Sequence, residues 1–239
     1  MNRESNTYTF IFAAVMVVVV AATLAFAATA LKPRQTENAR KEKMQNILAT
    51  IGIETDREGA KEKFDAYIKE QLTLTSDGTV DESIDAFEIE LSKELKKEVP
   101  EQRFPLFVAE VEGEKYYIIP LRGSGLWNAI FGYISLGEDF NKIKGVVFDH
   151  LGETPGLGAE ITQAWFQERF ADEKIYDESG DFIGVSVTKG YSGGNNKDDN
   201  AVDAISGATI TGDGVTDMIS ERLQHYLAYV KKDKKVASK

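Results

Sequence analysis

Cysteine is absent from the 239 residues, and histidine occurs only at His150 and His225. Without a thiol the chain has no disulfide, thiolate-held iron–sulfur cluster or zinc–thiolate site, and no flavin linked through sulfur. A His-based metal site would have to borrow several carboxylates, and the Cys-x-x-Cys-His haem attachment is missing, so no metal site is expected. Basic residues are in deficit: 28 Lys and Arg stand against 39 Asp and Glu, a net charge of −11. That balance excludes nucleic acid as a partner, because neutralising phosphates needs clustered Lys and Arg. There is no internal repeat, and no Gly-x-Gly-x-x-Gly follows a predicted strand, so a Rossmann dinucleotide site is also excluded.

Residues 10–31 carry no charge at all. A bilayer core needs about 20 apolar residues in helical form, so this stretch is long enough to span it after a short tail, 1–9. A cleaved signal peptide would have an apolar run of about 7–15 residues behind a basic start. Here the run is longer and the start offers only Arg3, opposed by Glu4, so a retained single-span anchor is expected. Lys32, Arg34, Arg40, Lys41 and Lys43 follow the span, and by the positive-inside rule this count favours a cytoplasmic C-terminal domain.

Beyond the anchor, 32–100 reads as a helical, charged membrane-proximal segment and 101–239 as the main domain. Met44, Ile47, Leu48 and Ile51 predict a helix over 36–51, and Ala60, Phe64, Tyr67, Ile68 and Leu72 a second over 57–72. The charged residues 80–97 alternate ambiguously between strand and helix. Strands are predicted at 104–111 and 115–120 around a turn at 112–114, then at 129–136, 143–148 and 181–188. A helix over 159–170 would bury Ile161, Trp165 and Phe170, and an amphipathic helix over 213–231 closes the domain. Hairpins with segregated helices indicate an α+β fold: one N-terminal transmembrane helix, then a domain of antiparallel strands and flanking helices.

Two segments carry chemistry. Asp203-Ala-Ile-Ser206-Gly207-Ala208-Thr209 joins small residues to hydroxyls just ahead of the last helix, with Thr211 nearby. By composition it is either a turn with Thr211 or Asp213 as helix cap, or a phosphate site at a helix N-terminus, where free N–H groups and the helix dipole converge. The second, His150-Leu-Gly-Glu153-Thr154-Pro-Gly156-Leu157-Gly158-Ala-Glu160, links a predicted strand to a predicted helix. Proline fixes φ and glycine tolerates positive φ, so this is either a plain turn or a compact cradle for a planar ligand. In the cradle reading Leu157 gives an apolar face and Thr154 a polar contact. Upstream, Trp127 follows Gly123-Ser-Gly125-Leu126 and is either core or a cover for such a ligand.

Asp-x-x-Ser-Gly-Ala-Thr resembles the acceptor motif of bacterial flavin transferases, which implies FMN joined through its phosphate to the Thr209 hydroxyl. Asp203, Ser206, Gly207 and Ala208 would then be the transferase's recognition elements. With Gly125-Leu-Trp127, Gly132-Tyr-Ile134 and Glu153-Thr-Pro-Gly-Leu-Gly-Ala-Glu160, the chain resembles the C-subunit family of the sodium-translocating NADH:quinone oxidoreductases of bacterial inner membranes. The G-subunit family of the RNF ion-translocating ferredoxin:NAD complexes shares the Glu-Thr-Pro-Gly-Leu-Gly loop and the acceptor motif, and is the alternative. The resemblance implies an extracytoplasmic FMN-binding domain with one covalent FMN, on the periplasmic side against the charge count. It also implies an electron relay from NADH toward ubiquinone with sodium pumped outward, in company with the other subunits, a separate flavin transferase and membrane lipid. Expected cofactor contacts are Thr209, Asp203, Ser206, Gly207, Ala208, Thr211, Trp127, Glu153, Thr154, Gly156, Leu157 and Gly158. No catalytic residue is expected, since such a subunit is part of an enzyme and not an enzyme alone. A non-redox anchored binding module and a purely structural assembly subunit are the remaining readings. His150, His225 and the acidic 80–101 stretch receive no role.

Overall fold

A computed structural model describes residues 5–237, with side chains through 233. The chain divides into two units, residues 1–43 and residues 44–239. The first helix, α1 (Asn6–Ala49), is continuous through Pro33 and has an apolar stretch long enough to cross a membrane. The span and the following helix, expected as separate, are thus one element. Pro33 removes one N–H from the helix ladder and its ring crowds the carbonyl four residues back, yet the helix runs on through it. The hydroxyls of Thr23 and Thr29 donate to the carbonyls of Val19 and Ala25 at 2.8 Å each, so neither offers lipid a free polar group.

In the second unit, five antiparallel strands lie in sequence order: β1 (Ile68–Leu74), β2 (Phe104–Val111), β3 (Glu114–Ser124), β4 (Ala129–Leu136) and β5 (Ile143–His150). Both faces are covered, which is why β2 and β3 read as nearly continuous apolar runs rather than alternating ones. Side chains alternate across a strand. Leu106, Val108, Ile119 and Leu121 therefore join one core, while Phe107, Ala109, Tyr116 and Ile118 join the other. The larger core is closed by Val215, Met218, Ile219 and Leu223 of α5 (Thr209–Gln224). The smaller is closed by Ile47, Leu48 and Ile51, and by Phe64 of α2 (Ala60–Tyr67). Glu112 and Gly113 both take positive φ, 55° and 85°, which makes the β2–β3 link a tight primed turn.

Two further strands, β6 (Ser186–Thr188) and β7 (Ala201–Asp203), pair in parallel. Short helices α3 (Leu91–Glu94) and α4 (Ala164–Gln167), and a last helix α6 (Leu227–Ala237), complete the order.

Several expected elements differ. Residues 68–72 are strand instead of helix, because β1 completes the sheet against β2 with Leu72 opposite Leu106. The 80–101 stretch holds only one-turn helices. Its acidic side chains have local work: Asp85 caps the Phe87 amide, Glu94 accepts from the Arg103 amide, and Asp81 pairs with Arg103 at 2.8 Å. The 159–170 helix is broken at Gln163, whose ψ of 140° is extended. The break buries Phe166 and Phe170 against Phe148 and leaves Trp165 outward, 44% exposed, contrary to the expected burial. Strand 181–188 shrinks to β6, and the closing helix starts four residues early, at Thr209, and divides before α6.

Candidate functional site

The two motifs and the Trp127 segment converge at the start of α5. Ile205–Ala208 forms a turn closed by the Ala208 amide on the Ile205 carbonyl at 3.1 Å, with Gly207 at φ 79°. A Cβ at Gly207 would also stand 2.8 Å from the end of the Leu157 side chain, which would have to shift, but it is the positive φ that favours glycine here. The turn delivers Thr209 to the first position of α5 with its side chain exposed. Ala208 occupies the N-cap position and no side chain caps the helix. Neither Thr211 nor Asp213 is the cap that composition suggested. The first amides of any α-helix lack intrahelical acceptors, so this end presents free donors beside the Thr209 hydroxyl.

Thr211 instead points inward. Its hydroxyl donates to Glu153 Oε2 at 2.7 Å, and the Trp127 amide donates to Glu153 Oε1 at 3.0 Å. Glu153 is 5% exposed and ties the Trp127 segment and its own loop to α5. Burial pushes its carboxyl up. Hydrogen bonds from Thr211 and from the Trp127 and Asn128 amides, with His150 nearby, outweigh burial and hold it below the ordinary carboxylate range. Glycine is the only residue that fits on either side. A Cβ at Gly125 would meet Glu153 Oε1 at 2.5 Å, and one at Gly158 would meet Thr211 Oγ1 at 2.5 Å.

The loop is braced from below, where the Glu153 amide donates to His150 Nδ1 at 3.2 Å. Gly156 takes φ 74° and its amide donates to Glu160 at 3.0 Å. Trp127 Nε1 donates to Thr154 Oγ1 at 3.2 Å while the ring itself is 70% exposed. Between these parts lies a cleft of about 210 Å³ lined by Leu126, Glu153, Leu157, Gly158, Thr209 and Ile210, among others. Leu126, Trp127, Leu157 and Ile210 leave an uncovered apolar surface around the Thr209 hydroxyl.

Of the expected residues, Glu153, Thr154, Leu157, Gly158, Gly207, Ala208, Thr209 and Thr211 line this cleft, and Trp127 is bonded to its wall. Ser206 is an exposed turn residue and Gly156 shapes the loop from outside. Asp203 faces elsewhere: Arg169 donates to its carbonyl at 2.6 Å and stands 3.6 Å from its carboxylate. The Arg169 guanidinium in turn lies 4.8 Å from the centre of the Trp165 ring. The motifs include Gly125, Leu126 and His150 without predicting a contact for any of them, and Ile210 is not singled out by the sequence. His225 is remote from the cleft, stacked on Phe104 at 4.6 Å, with burial and then Arg222 lowering its pKa.

A family described as FMN-binding domain matches residues 125–224, a range that takes in every cleft residue named above. The C-subunit of the Na(+)-translocating NADH-quinone reductase of Pseudomonas aeruginosa is 31% identical, the alignment covering 91% of each chain. The crystal structure of its counterpart from Parabacteroides distasonis is 39% identical, with a TM-score of 0.76 over 84% of this chain and 96% of that one. That of NqrC from Shewanella oneidensis is 27% identical, with a TM-score of 0.68 over 81% and 98%. By its full-length relatives and its fold, the chain belongs to the NqrC family, the C-subunits of the Na(+)-translocating NADH-quinone reductases.

Proposed function

We propose that this chain is an electron-carrying subunit of a membrane Na(+)-translocating NADH-quinone reductase, with one FMN held by a phosphoester to Thr209 and electrons relayed toward quinone. The observation that carries the reading is Thr209 itself: an exposed hydroxyl on the first residue of α5, at the edge of the cleft where both motifs meet. A phosphodiester keeps about one negative charge, which the uncapped amides of the first turn and the helix dipole complement. Trp127, Leu126 and Leu157 offer apolar faces to a planar ring, and Thr154 a polar contact. The rival reading of the acceptor motif as a helix cap loses support, because no side chain caps α5.

When bound, the flavin supplies the redox chemistry, and the protein sets its position and potential through contacts, burial and charge. Glu153 keeps the cleft's walls together and holds a negative charge beneath it. Attachment is the work of a separate flavin transferase: the bond from Thr209 Oγ1 to the FMN phosphorus would form, the hydroxyl proton leave, and the phosphoanhydride bond of a flavin dinucleotide donor break, releasing a nucleoside monophosphate. The apolar part of α1 anchors the chain in the inner membrane by a single pass, and we place the second unit on the periplasmic side. Support for that side is the family resemblance alone, since the lysines and arginines after the span favour the opposite one.

The test is the intact mass of the chain produced with and without a flavin transferase, followed by peptide mapping. The expected result is a gain of FMN less one water on the peptide holding Thr209, abolished in Thr209→Val with the melting temperature preserved. Covalent FMN on the Val variant, or an unmodified wild-type chain beside an active transferase, overturns the assignment.

A further inference from the structure

Thr209 is held from two directions. One is α5, which carries it and whose buried side chains fix the helix on the larger core. The other is the end of β7 at Asp203, from which residues 204–208 lead straight into Thr209. The turn between them contains Gly207 at φ 79°, a permissive backbone, so the hold on this segment comes from its ends. β7 belongs to a two-stranded sheet, and just past it the Ala204 amide donates to the Thr188 carbonyl at 3.1 Å. The Asp203 carbonyl accepts from a side chain: Arg169 Nη1 donates to it at 2.6 Å. With an ionised donor such a bond is about twice as strong as a neutral one. The Asp203 carboxylate is 3.6 Å from the same nitrogen and half-exposed, a contact that contributes little.

Arg169 is itself immobilised. Its guanidinium lies 4.8 Å from the centre of the Trp165 ring and 6.0 Å from that of Phe166. Phe166 and Phe170, on either side of it in sequence, are fully buried against Phe148. Its own carbonyl accepts from Lys197 Nζ at 2.6 Å, and the same ammonium donates to the buried Glu173 at 3.0 Å. A planar guanidinium already resting on a ring loses little further freedom when it bonds. We propose that Arg169 is a positioning residue for flavin attachment. By holding the Asp203 carbonyl it fixes the chain ahead of Thr209 and so sets where Thr209 Oγ1 stands for attack on phosphorus. Arg169 does not line the Thr209 cleft and acts only through Asp203 and the turn. Such an attack tolerates little error: the reacting atoms have to stand about 3–3.5 Å apart, and a displacement of about 1 Å costs up to about a hundredfold in rate. This inference rests on the phosphoester reading of Thr209.

The experiment uses the full chain as the substrate of a flavin transferase supplied with a flavin dinucleotide. Initial rates of covalent FMN gain are read by intact mass across a range of chain concentrations. Arg169→Met keeps an apolar stem against Trp165 and removes the donor. Its kcat is expected to fall about ten- to hundredfold with KM within about twofold of wild type, and Arg169→Lys, which still donates to a carbonyl, is expected to recover most of the loss. In the unmodified Met variant, hydrogen exchange is expected to quicken at the amides of 204–211 while those of β3, β4 and β5 keep their protection. An unchanged kcat overturns the proposal. So does a raised KM with kcat intact, which would mean that the transferase docks on Arg169 itself, and so does faster exchange spread evenly over the sheet. Should Arg169→Met not fold, Trp165→Leu removes the exposed ring on which the guanidinium rests; a lower kcat supports the proposal and an unchanged one overturns it. A wild-type chain that never gains FMN sinks the Thr209 reading and the positioning role with it. A wild-type chain modified no faster than the Met variant sinks the positioning role alone.

Discussion

Glu153→Gln removes the one negative charge around which the cleft is assembled while changing the side chain's size very little. The carboxylate accepts from Thr211 at 2.7 Å and from the Trp127 amide at 3.0 Å in a buried setting. A hydrogen bond to a charged acceptor contributes about 1.5–3 kcal/mol and a neutral one about 0.5–1.5 kcal/mol. Gln can still accept from Trp127 and donate to Thr211, so both bonds survive in neutral form. The expected loss is about 1–3 kcal/mol at pH 7, and each kcal/mol lowers the midpoint of a unit this size by about 2–4 °C. Because Glu153 titrates below its unfolded value, its stabilisation is complete above about pH 4.3 and is lost as pH falls through the folded value. Urea unfolding of wild type and variant from pH 7 down to pH 3 reads this directly. The gap should hold steady above about pH 4.3 and close below it. A gap that stays constant to pH 3, or a Gln variant more stable at pH 7, would refute the charged-anchor reasoning.

Gly158→Ala forces a Cβ against Thr211 Oγ1 and Glu153 and is expected to cost about 1–3 kcal/mol in chemical unfolding, as overpacking does. Gly207→Ala meets Leu157 at 2.8 Å and strains a backbone at φ 79°. It should lower stability by about 1–2 kcal/mol and slow flavin attachment measured by intact mass, because the turn that presents Thr209 is displaced. Lys197→Met leaves Glu173, 1% exposed, without its partner at 3.0 Å. Burial already raises the Glu173 pKa against the pull of Lys197, so the variant should lose about 3–5 kcal/mol at pH 8 and recover much of it at pH 5, where protonation removes the buried charge.

The strands that were legible in the sequence are those whose pairing agrees with local pattern. Phe104–Val111 and Ala129–Leu136 have the bounds that their apolar runs and flanking turns indicate. What was illegible is set by distant contacts. Ile68–Leu72 has helical spacing, yet an open edge beside β2 makes it strand. Residues 159–170 hold a helical pattern whose aromatic positions 166 and 170 fit the core only after the chain extends at Gln163. Local composition puts the start of α5 at Asp213, because Ser, Gly, Ala and Thr read as loop; the helix begins earlier because Thr211 is claimed by Glu153, 58 positions away. At the cleft, the motif residues were visible as a resemblance, whereas the bracing by His150 and the clamp of Arg169 on Asp203 belong to tertiary contact alone. No spacing in the chain announces them.

The sequential order of the sheet has a consequence in time. Each strand from β2 to β5 pairs with its immediate predecessor, so the sheet can close hairpin by hairpin as synthesis proceeds. The α5 side chains that cover its larger core come from the opposite end of the domain, and Thr209 opens that same helix. A chain cut short before α5 therefore has a bare apolar sheet, the kind of species that proteolysis removes. A chain that has buried its core has necessarily acquired Thr209, so quality control of the fold doubles as quality control of the proposed modification site.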